Sequence, residues 1–328
     1  MICLGIESTA HTFGISVVRD KDKKVLSNII TAFKTKSGGL VPAKVADHHI
    51  DVLEDTFVKA LETAGIKAIE IDLIAFSQGP GIGNTLRIGA GFARSLSLLL
   101  NKPLIGVNHC IAHLEVGRFL TKAKDPVLLY ASGANTQVIA YEAGKYRVFG
   151  ETLDLGIGNF LDTFARNLGL GFPGGPKIEE LAKKSKHYIK LPYVVKGMDI
   201  SLGGLETNLK NRVHQGKDSK EDLCFSVQET VFAMLIEVAE RAMAHTGKTE
   251  LLLGGGVACN KRLQEMSRIM CEERGAKLFL LENQFFVDNA AMIAITGIEM
   301  HKAGVKTPIN KSEIRPYERT DDVDVKWR

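Results

Sequence analysis

The chain carries one pattern of strands twice, and this duplication constrains its fold more than any other feature. Residues 2–6 and 13–18 are apolar runs separated by the small polar stretch Glu7-Ser8-Thr9-Ala10-His11-Thr12. They read as strand, turn, strand, and residues 25–31 fit a third strand. The pattern recurs at residues 127–131 and 137–141 around the polar turn Ser132-Gly133-Ala134-Asn135-Thr136, with a third strand at 146–149. Alternating elements follow each copy. After the first come a helix over 42–64, opened by Pro42 and stopped by Gly65, a strand over 73–77, a helix over 84–100, a strand over 104–107 and a helix from His109. After the second come helices over 158–168, 176–184, 205–214 and 221–245, a strand over 251–253, a helix over 260–274, a strand over 277–281 and a last helix over 288–303. Such a repeat predicts two similar α/β domains with a cleft between them. We place them at 1–125 and 126–317, with the last helix a candidate to pack back on the first domain. Seven charges in the eleven residues 318–328 suggest a solvated tail or a linker. A length of 328 residues suits two domains.

Composition removes several classes. With 45% apolar and 24% charged residues, the chain is not disordered. The start lacks the basic and long apolar regions of a signal peptide, and no apolar run approaches roughly 18 residues, so no membrane span is expected. Five cysteines at scattered spacings, with no CxxC pair, indicate neither a disulfide scaffold nor a zinc knuckle, and a reducing cytoplasm is the expected setting. The net charge of +4 permits a nucleic-acid partner, but no dense Lys/Arg stripe with aromatics is evident.

The standard nucleotide motifs fail. Gly247-Lys248-Thr249 resembles the end of a P-loop, but Ala242 stands where the upstream glycine belongs. Gly254-Gly255-Gly256-Val257-Ala258-Cys259 ends in cysteine where a dinucleotide fold wants Gly or Ala. Three glycines still imply close backbone approach: an adenine or ribose could lie flat there, or a helix N-terminus could simply pack there. A Gly/Ser/Thr turn can bind phosphate oxygens through its amides, although one such turn alone is more often an ordinary hairpin. Repetition in matching positions makes Glu7-Ser8-Thr9 a candidate phosphate loop.

His109 and His113 are four residues apart, which puts both imidazoles on one helix face, a way to hold a metal. An isolated pair of this kind is more often structural. A zincin peptidase needs glutamate at the second position, and Cys110 is there instead. Acidic candidates are Asp154, Asp162, Glu179 and Asp288; for Asp288, at the start of the last helix, capping is the simpler reading.

The motifs occur in a telling order: Glu7-Ser8-Thr9; Gly79-Pro80-Gly81 with Thr85-Leu86-Arg87-Ile88-Gly89; His109 and His113; Ser132-Gly133-Ala134-Asn135-Thr136; Gly174-Gly175-Pro176; and Gly254-Gly255-Gly256-Val257-Ala258-Cys259-Asn260. In this order they resemble the TsaD/Kae family, the tRNA threonylcarbamoyladenosine synthase subunit, from Met1 to about Tyr317. The chain is most similar to the archaeal and eukaryotic branch that works in the KEOPS complex. One departure is Ser201-Leu202-Gly203-Gly204-Leu205, where relatives commonly carry Ser-Phe-Ser-Gly-Leu.

The resemblance implies a duplicated actin-like fold of the sugar-kinase and heat-shock-ATPase type (ASKHA). It implies transfer of threonylcarbamoyl from its adenylate to the exocyclic amine of the adenosine beside the tRNA anticodon. Carried over by motif, His109, His113, Tyr130 and Asp288 would hold one divalent metal, iron or zinc with iron favoured. Tyr130, Ala131, Ser132, Gly133, Ala134, Asp162, Gly175, Glu179 and Asn260 would hold ATP or threonylcarbamoyl-adenylate, with magnesium as a further candidate ion. The implied partners are tRNA and the KEOPS subunits: a small kinase-like regulator, a dimerising subunit and an accessory subunit. No residue is assigned as general base. Two other readings suit the same fold: an ATP-dependent small-molecule kinase or ATPase, and a non-catalytic nucleotide-binding scaffold.

Overall fold

The computed structural model describes residues 1–34 and 41–328. The chain forms two compact units. One comprises Met1–Lys122, Ala143–Tyr146 and Asp288–Arg328; the other comprises Ala123–Glu142 and Arg147–Val287.

In the first unit, β1 (Ile2–Glu7), β2 (Thr12–Arg19) and β3 (Lys24–Ala32) form an antiparallel meander. Helix α1 (Pro42–Ala64) then leads to β4 (Leu73–Gly79), and α2 (Gly83–Leu100) to β5 (Leu104–Asn108). Strand β4 pairs in parallel with both β1 and β5, giving the order β3-β2-β1-β4-β5. Helix α3 (His109–Leu120) closes this copy.

The second unit repeats the topology. Strands β6 (Val127–Ala131), β7 (Thr136–Glu142) and β8 (Lys145–Glu151) precede α4 (Ile157–Asn167) and α5 (Gly174–Ala182). A small hairpin, β9 (Val195–Lys196) and β10 (Asp199–Ile200), leads to α6 (Gly203–Gln215) and the long α7 (Lys220–Thr246). Then come β11 (Glu250–Gly254), α8 (Lys261–Glu273), β12 (Lys277–Phe279) and the short α9 (Asn283–Phe286). The sheet order β8-β7-β6-β11-β12 matches that of the first sheet strand for strand. The last helix, α10 (Ala290–Lys302), belongs to the first unit.

Both faces of the first sheet are covered, which explains why its central strands read as continuous apolar runs. Leu4, Ile6, Phe13, Ile15 and Val17 pack into a core with α1 and α2 residues such as Ala60, Ala90 and Ala93. Gly5 points to the opposite face, as strand alternation requires. A Cβ there would lie 2.1 Å from the Ala290 carbonyl oxygen, so only glycine lets α10 approach this closely.

The expected helices and strands stand where the sequence places them, with ends shifted by one or two residues. The start of the last helix is the informative shift. That helix begins at Ala290, and its cap is Asn289, whose side chain accepts the Met292 amide at 3.1 Å. Asp288 is therefore not the cap. The strand expected over 277–281 ends at Phe279, and Gly256–Cys259 forms a 3-10 turn before α8. No helix among the described residues is long and apolar enough to cross a membrane.

Candidate metal centre and nucleotide loops

The metal candidates of the first unit are positioned by a cap. Asn108, the last residue of β5, accepts the amides of Cys110 at 3.0 Å and Ile111 at 3.2 Å. This starts α3 without a loop and fixes His109 as its first residue. His113 follows one turn later, and the two rings lie edge to face with centroids 4.9 Å apart. Asp288 enters from just before α10. Its Oδ1 lies 3.4 Å from Nε2 of His109 and 3.4 Å from Nε2 of His113. All three donor atoms fall within 4.8 Å of one another.

The orientation of His109 is set from behind. Its Nδ1 lies 3.0 Å from Oε2 of Glu7 and 3.2 Å from the Thr9 hydroxyl. Oε1 of Glu7 accepts the Thr9 hydroxyl at 2.5 Å and the Thr9 amide at 2.7 Å. A buried carboxylate on one ring nitrogen, with the other aimed at a ligand position, is the usual support of a metal-binding histidine.

Electrostatics agree with that reading. Burial pushes the His113 imidazole down, and hydrogen bonding to Asp288 opposes it without reversing the direction. Burial alone would raise Asp288, but the charges and hydrogen bonds of His109 and His113 outweigh it and hold the carboxyl well below the usual range. Metal binding calls for an ionised carboxylate and for imidazole nitrogens free of a proton. Two imidazole nitrogens and one carboxylate oxygen fit a divalent transition metal and leave coordination positions open.

The turn after β1 uses its amides internally. The Ser8 amide donates to the Ser77 hydroxyl at 3.0 Å, and the Thr9 amide is taken by Glu7. Geometrically, Glu7-Ser8-Thr9 supports His109 rather than presenting a row of donors.

In the second unit, the remaining candidates form a connected set of loops. The Ser132 carbonyl accepts the Gly158 amide at 2.9 Å, and the Gly133 carbonyl accepts the Asn159 amide at 2.9 Å, tying the β6–β7 turn to the start of α4. Gly255 has φ +87°, and a Cβ there would lie 2.3 Å from the Ala131 carbonyl oxygen. Gly255 is thus explained by close approach to the same turn. Asp162 accepts the Gly174 amide at 2.7 Å, which fixes α4 against the start of α5. Glu179 accepts the Lys261 amide at 3.2 Å, beside Asn260. Asn260 itself caps α8, accepting the Arg262 amide at 2.8 Å, and its Nδ2 donates to Gln228 at 3.1 Å. At Gly175 a Cβ would meet nothing within 4 Å, so the space beside it is open. Tyr130 sits buried near the end of β6, paired with Gly254 of β11.

Asp154 has a structural task. It accepts the Ser201 hydroxyl at 2.8 Å and the amides of Leu202 at 2.9 Å and Gly203 at 2.8 Å. It thereby anchors the departing Ser201-Leu202-Gly203 segment at the start of α6. Burial would raise its carboxyl, but these donors lower it.

Sequence reasoning missed Glu115. This buried carboxylate on α3 accepts Arg118 at 2.7 Å, Trp327 Nε1 at 2.9 Å and the Tyr146 hydroxyl. Asn108 also donates to Glu318 at 3.0 Å. The C-terminal segment therefore grips the helix that carries both histidines. The hint was the lone Trp327 inside an otherwise charged tail.

Fold and site together define a duplicated α/β protein of the ASKHA class, with a His-His-Asp donor set in its first unit. Two solved structures share that fold: HypF from T. kodakarensis (TM-score 0.65, 14% identity, covering 92% of this chain and 48% of that one), and the (R)-2-hydroxyglutaryl-CoA dehydratase component A from Acidaminococcus fermentans (TM-score 0.54, 17% identity, covering 90% and 97%). At these identities they speak to the fold alone. The chain belongs to the TsaD family, whose model, described as tRNA N6-adenosine threonylcarbamoyltransferase, matches residues 24–295. A relative bearing that same description, from Thermococcus kodakarensis, is 55% identical over 327 residues and covers 100% of both chains. A Methanosarcina mazei relative, described as a probable bifunctional tRNA threonylcarbamoyladenosine biosynthesis protein, is 53% identical over 99% of this chain but only 59% of its own length.

Proposed function

We propose that this chain transfers threonylcarbamoyl from threonylcarbamoyl-adenylate to the N6 amine of the adenosine adjacent to the tRNA anticodon. Family membership supports the reaction class. The observation that carries the site is the convergence of His109, His113 and Asp288, with Glu7 behind His109. The turn Tyr130-Ala131-Ser132-Gly133-Ala134, with Asp162, Gly175, Glu179 and Asn260, holds the nucleotide.

In the reaction, the amine nitrogen attacks the carbamoyl carbon of the mixed anhydride. A C–N bond forms, the C–O bond to phosphate breaks, AMP leaves with the electron pair, and the nitrogen loses a proton. The acceptor amine is a weak nucleophile, so positioning and charge stabilisation matter more than a strong base. A bound iron or zinc ion would supply Lewis acidity toward phosphate or carbamoyl oxygens. The protein's own contributions are then distinct. Glu7 fixes the His109 ring. The open space beside Gly175 admits the nucleotide, and the carboxylates of Asp162 and Glu179 accept ribose or threonyl hydroxyls.

The reading includes the small kinase-like, dimerising and accessory subunits as partners. The experiment supplies threonylcarbamoyl-adenylate and unmodified tRNA to the chain with those subunits, then digests the tRNA and measures nucleoside mass. Appearance of N6-threonylcarbamoyladenosine supports the transferase. Nucleotide turnover with no modified nucleoside would favour the kinase or ATPase reading.

A further inference from the structure

The chain's positive charge is concentrated in one stretch of the second unit. Between Lys183 and Lys220 there are nine Lys and Arg residues against three acids, a larger excess than the +4 of the whole chain. Fold turns the first part of that stretch into a strap along α7. Ser185 donates to Asp222 at 2.5 Å, the Ile189 amide donates to the Ser226 hydroxyl at 2.7 Å, and the hydroxyls of Tyr188 and Thr230 are 3.0 Å apart. Tyr193 donates to Glu237 at 2.5 Å, and Arg241 donates to the Gly197 carbonyl. The anchor points run from Asp222 to Arg241, about 28 Å of helix at 1.5 Å per residue.

Lys184, Lys186, Lys190 and Lys196 lie along this strap, all exposed and without an ion pair among the described residues. Three carboxylates of α7 already have partners: Asp222 accepts the Ser185 hydroxyl, Glu237 is held by Tyr193 and Arg241, and Glu229 by Arg262. Between the cations stand Tyr188, 49% exposed, and Tyr193, 47% exposed. Each is pinned through its hydroxyl, so half-exposed rings are held in place rather than swinging on the surface.

The geometry points to this strap as the docking surface for the tRNA substrate, with the lysines on phosphates and the two tyrosine rings against unstacked bases. A row of cations alone would suit any polyanion. Pinned aromatic rings interleaved with them favour a nucleic acid over an acidic protein, because every base offers a face to stack. The lysines are separated in sequence by apolar and polar residues, so no stripe is apparent until the segment lies extended on α7. This inference rests on the transferase reading for its choice of RNA.

The test measures anisotropy of labelled, unmodified tRNA with the full chain between about 50 and 200 mM salt. Wild type is compared with a fourfold variant (Lys184→Gln, Lys186→Gln, Lys190→Gln, Lys196→Gln), its Lys→Arg counterpart, and the pair Tyr188→Leu, Tyr193→Leu. Circular dichroism and thermal melting confirm that each folds. The fourfold Gln variant should bind at least about tenfold more weakly at low salt, and its slope of log affinity against log salt should fall by about 3 units. The Arg variant should retain both, and the tyrosine pair should lose about fivefold or more with the slope unchanged. Equal affinity and slope in wild type and the Gln variant overturn the docking surface, whatever the transfer assay gives. Strap-dependent binding without any threonylcarbamoyl transfer would support the docking surface while overturning the activity.

Discussion

Oε2 of Glu7 lies 3.0 Å from Nδ1 of His109, across 102 residues of sequence. The contact joins the end of β1 to the first residue of α3 and leaves Nε2 of His109 directed at Asp288. Glu7→Gln keeps the shape but removes the charge that fixes the ring. Metal affinity should fall about 10- to 100-fold, as for other second-sphere carboxylates. Competition with a calibrated chelator measures this, and an unchanged affinity would remove Glu7 from the site.

Asn108 caps α3 immediately before His109. Asn108→Ala should cost about 1 kcal/mol of stability. It should also weaken metal binding, because the ring that depends on the cap is itself a ligand candidate. Asn108→Ser should recover most of the stability, since its hydroxyl can accept the same amides. Urea denaturation with a metal titration on each variant separates the two effects.

Trp327 donates to the buried Glu115 carboxylate at 2.9 Å. Trp327→Phe removes that donor and leaves Arg118 and Tyr146 in place. A hydrogen bond lost to a buried carboxylate should cost about 2 kcal/mol. If denaturation shows no change, the tail does not stabilise α3.

Much of this was legible in the sequence, and the failures have local reasons. Helix α1 was readable to its ends because Pro42 and Gly65 mark both. The repeat was readable because both copies alternate apolar runs with small polar turns. The hairpin β9–β10 was not, since two residues per strand cannot display a period of two. Asp288 and Asn289 are adjacent and equally suited to capping; only geometry shows that Asn289 takes the amide and releases Asp288 to the histidines. Glu7 was read as part of a phosphate turn because its partner lies on another element far along the chain.

His49 gives the first unit an acid-side weakness. Burial, reinforced by neighbouring His48, pushes its imidazole down to about 4 from 6.5. Its ring packs edge-on against Phe13 at 5.3 Å. The folded state resists the proton that the unfolded chain accepts, so the unfolded state binds more protons between these values. His49's contribution is therefore intact above about pH 6.5 and is lost as pH falls toward 4, by about 3 kcal/mol at most. His49→Phe should flatten the dependence of stability on pH across that window. An equally steep dependence in the variant would assign the effect to other groups.

The central claim is that the His109, His113 and Asp288 cluster holds the metal that threonylcarbamoyl transfer requires. The most direct test measures metal content and modified nucleoside in the same preparations of wild type, His109→Ala and Asp288→Ala, each assembled with the partner subunits. The account predicts about one metal per wild-type chain with product formed, and loss of metal and product together in both variants. Full product from metal-free variants would contradict it.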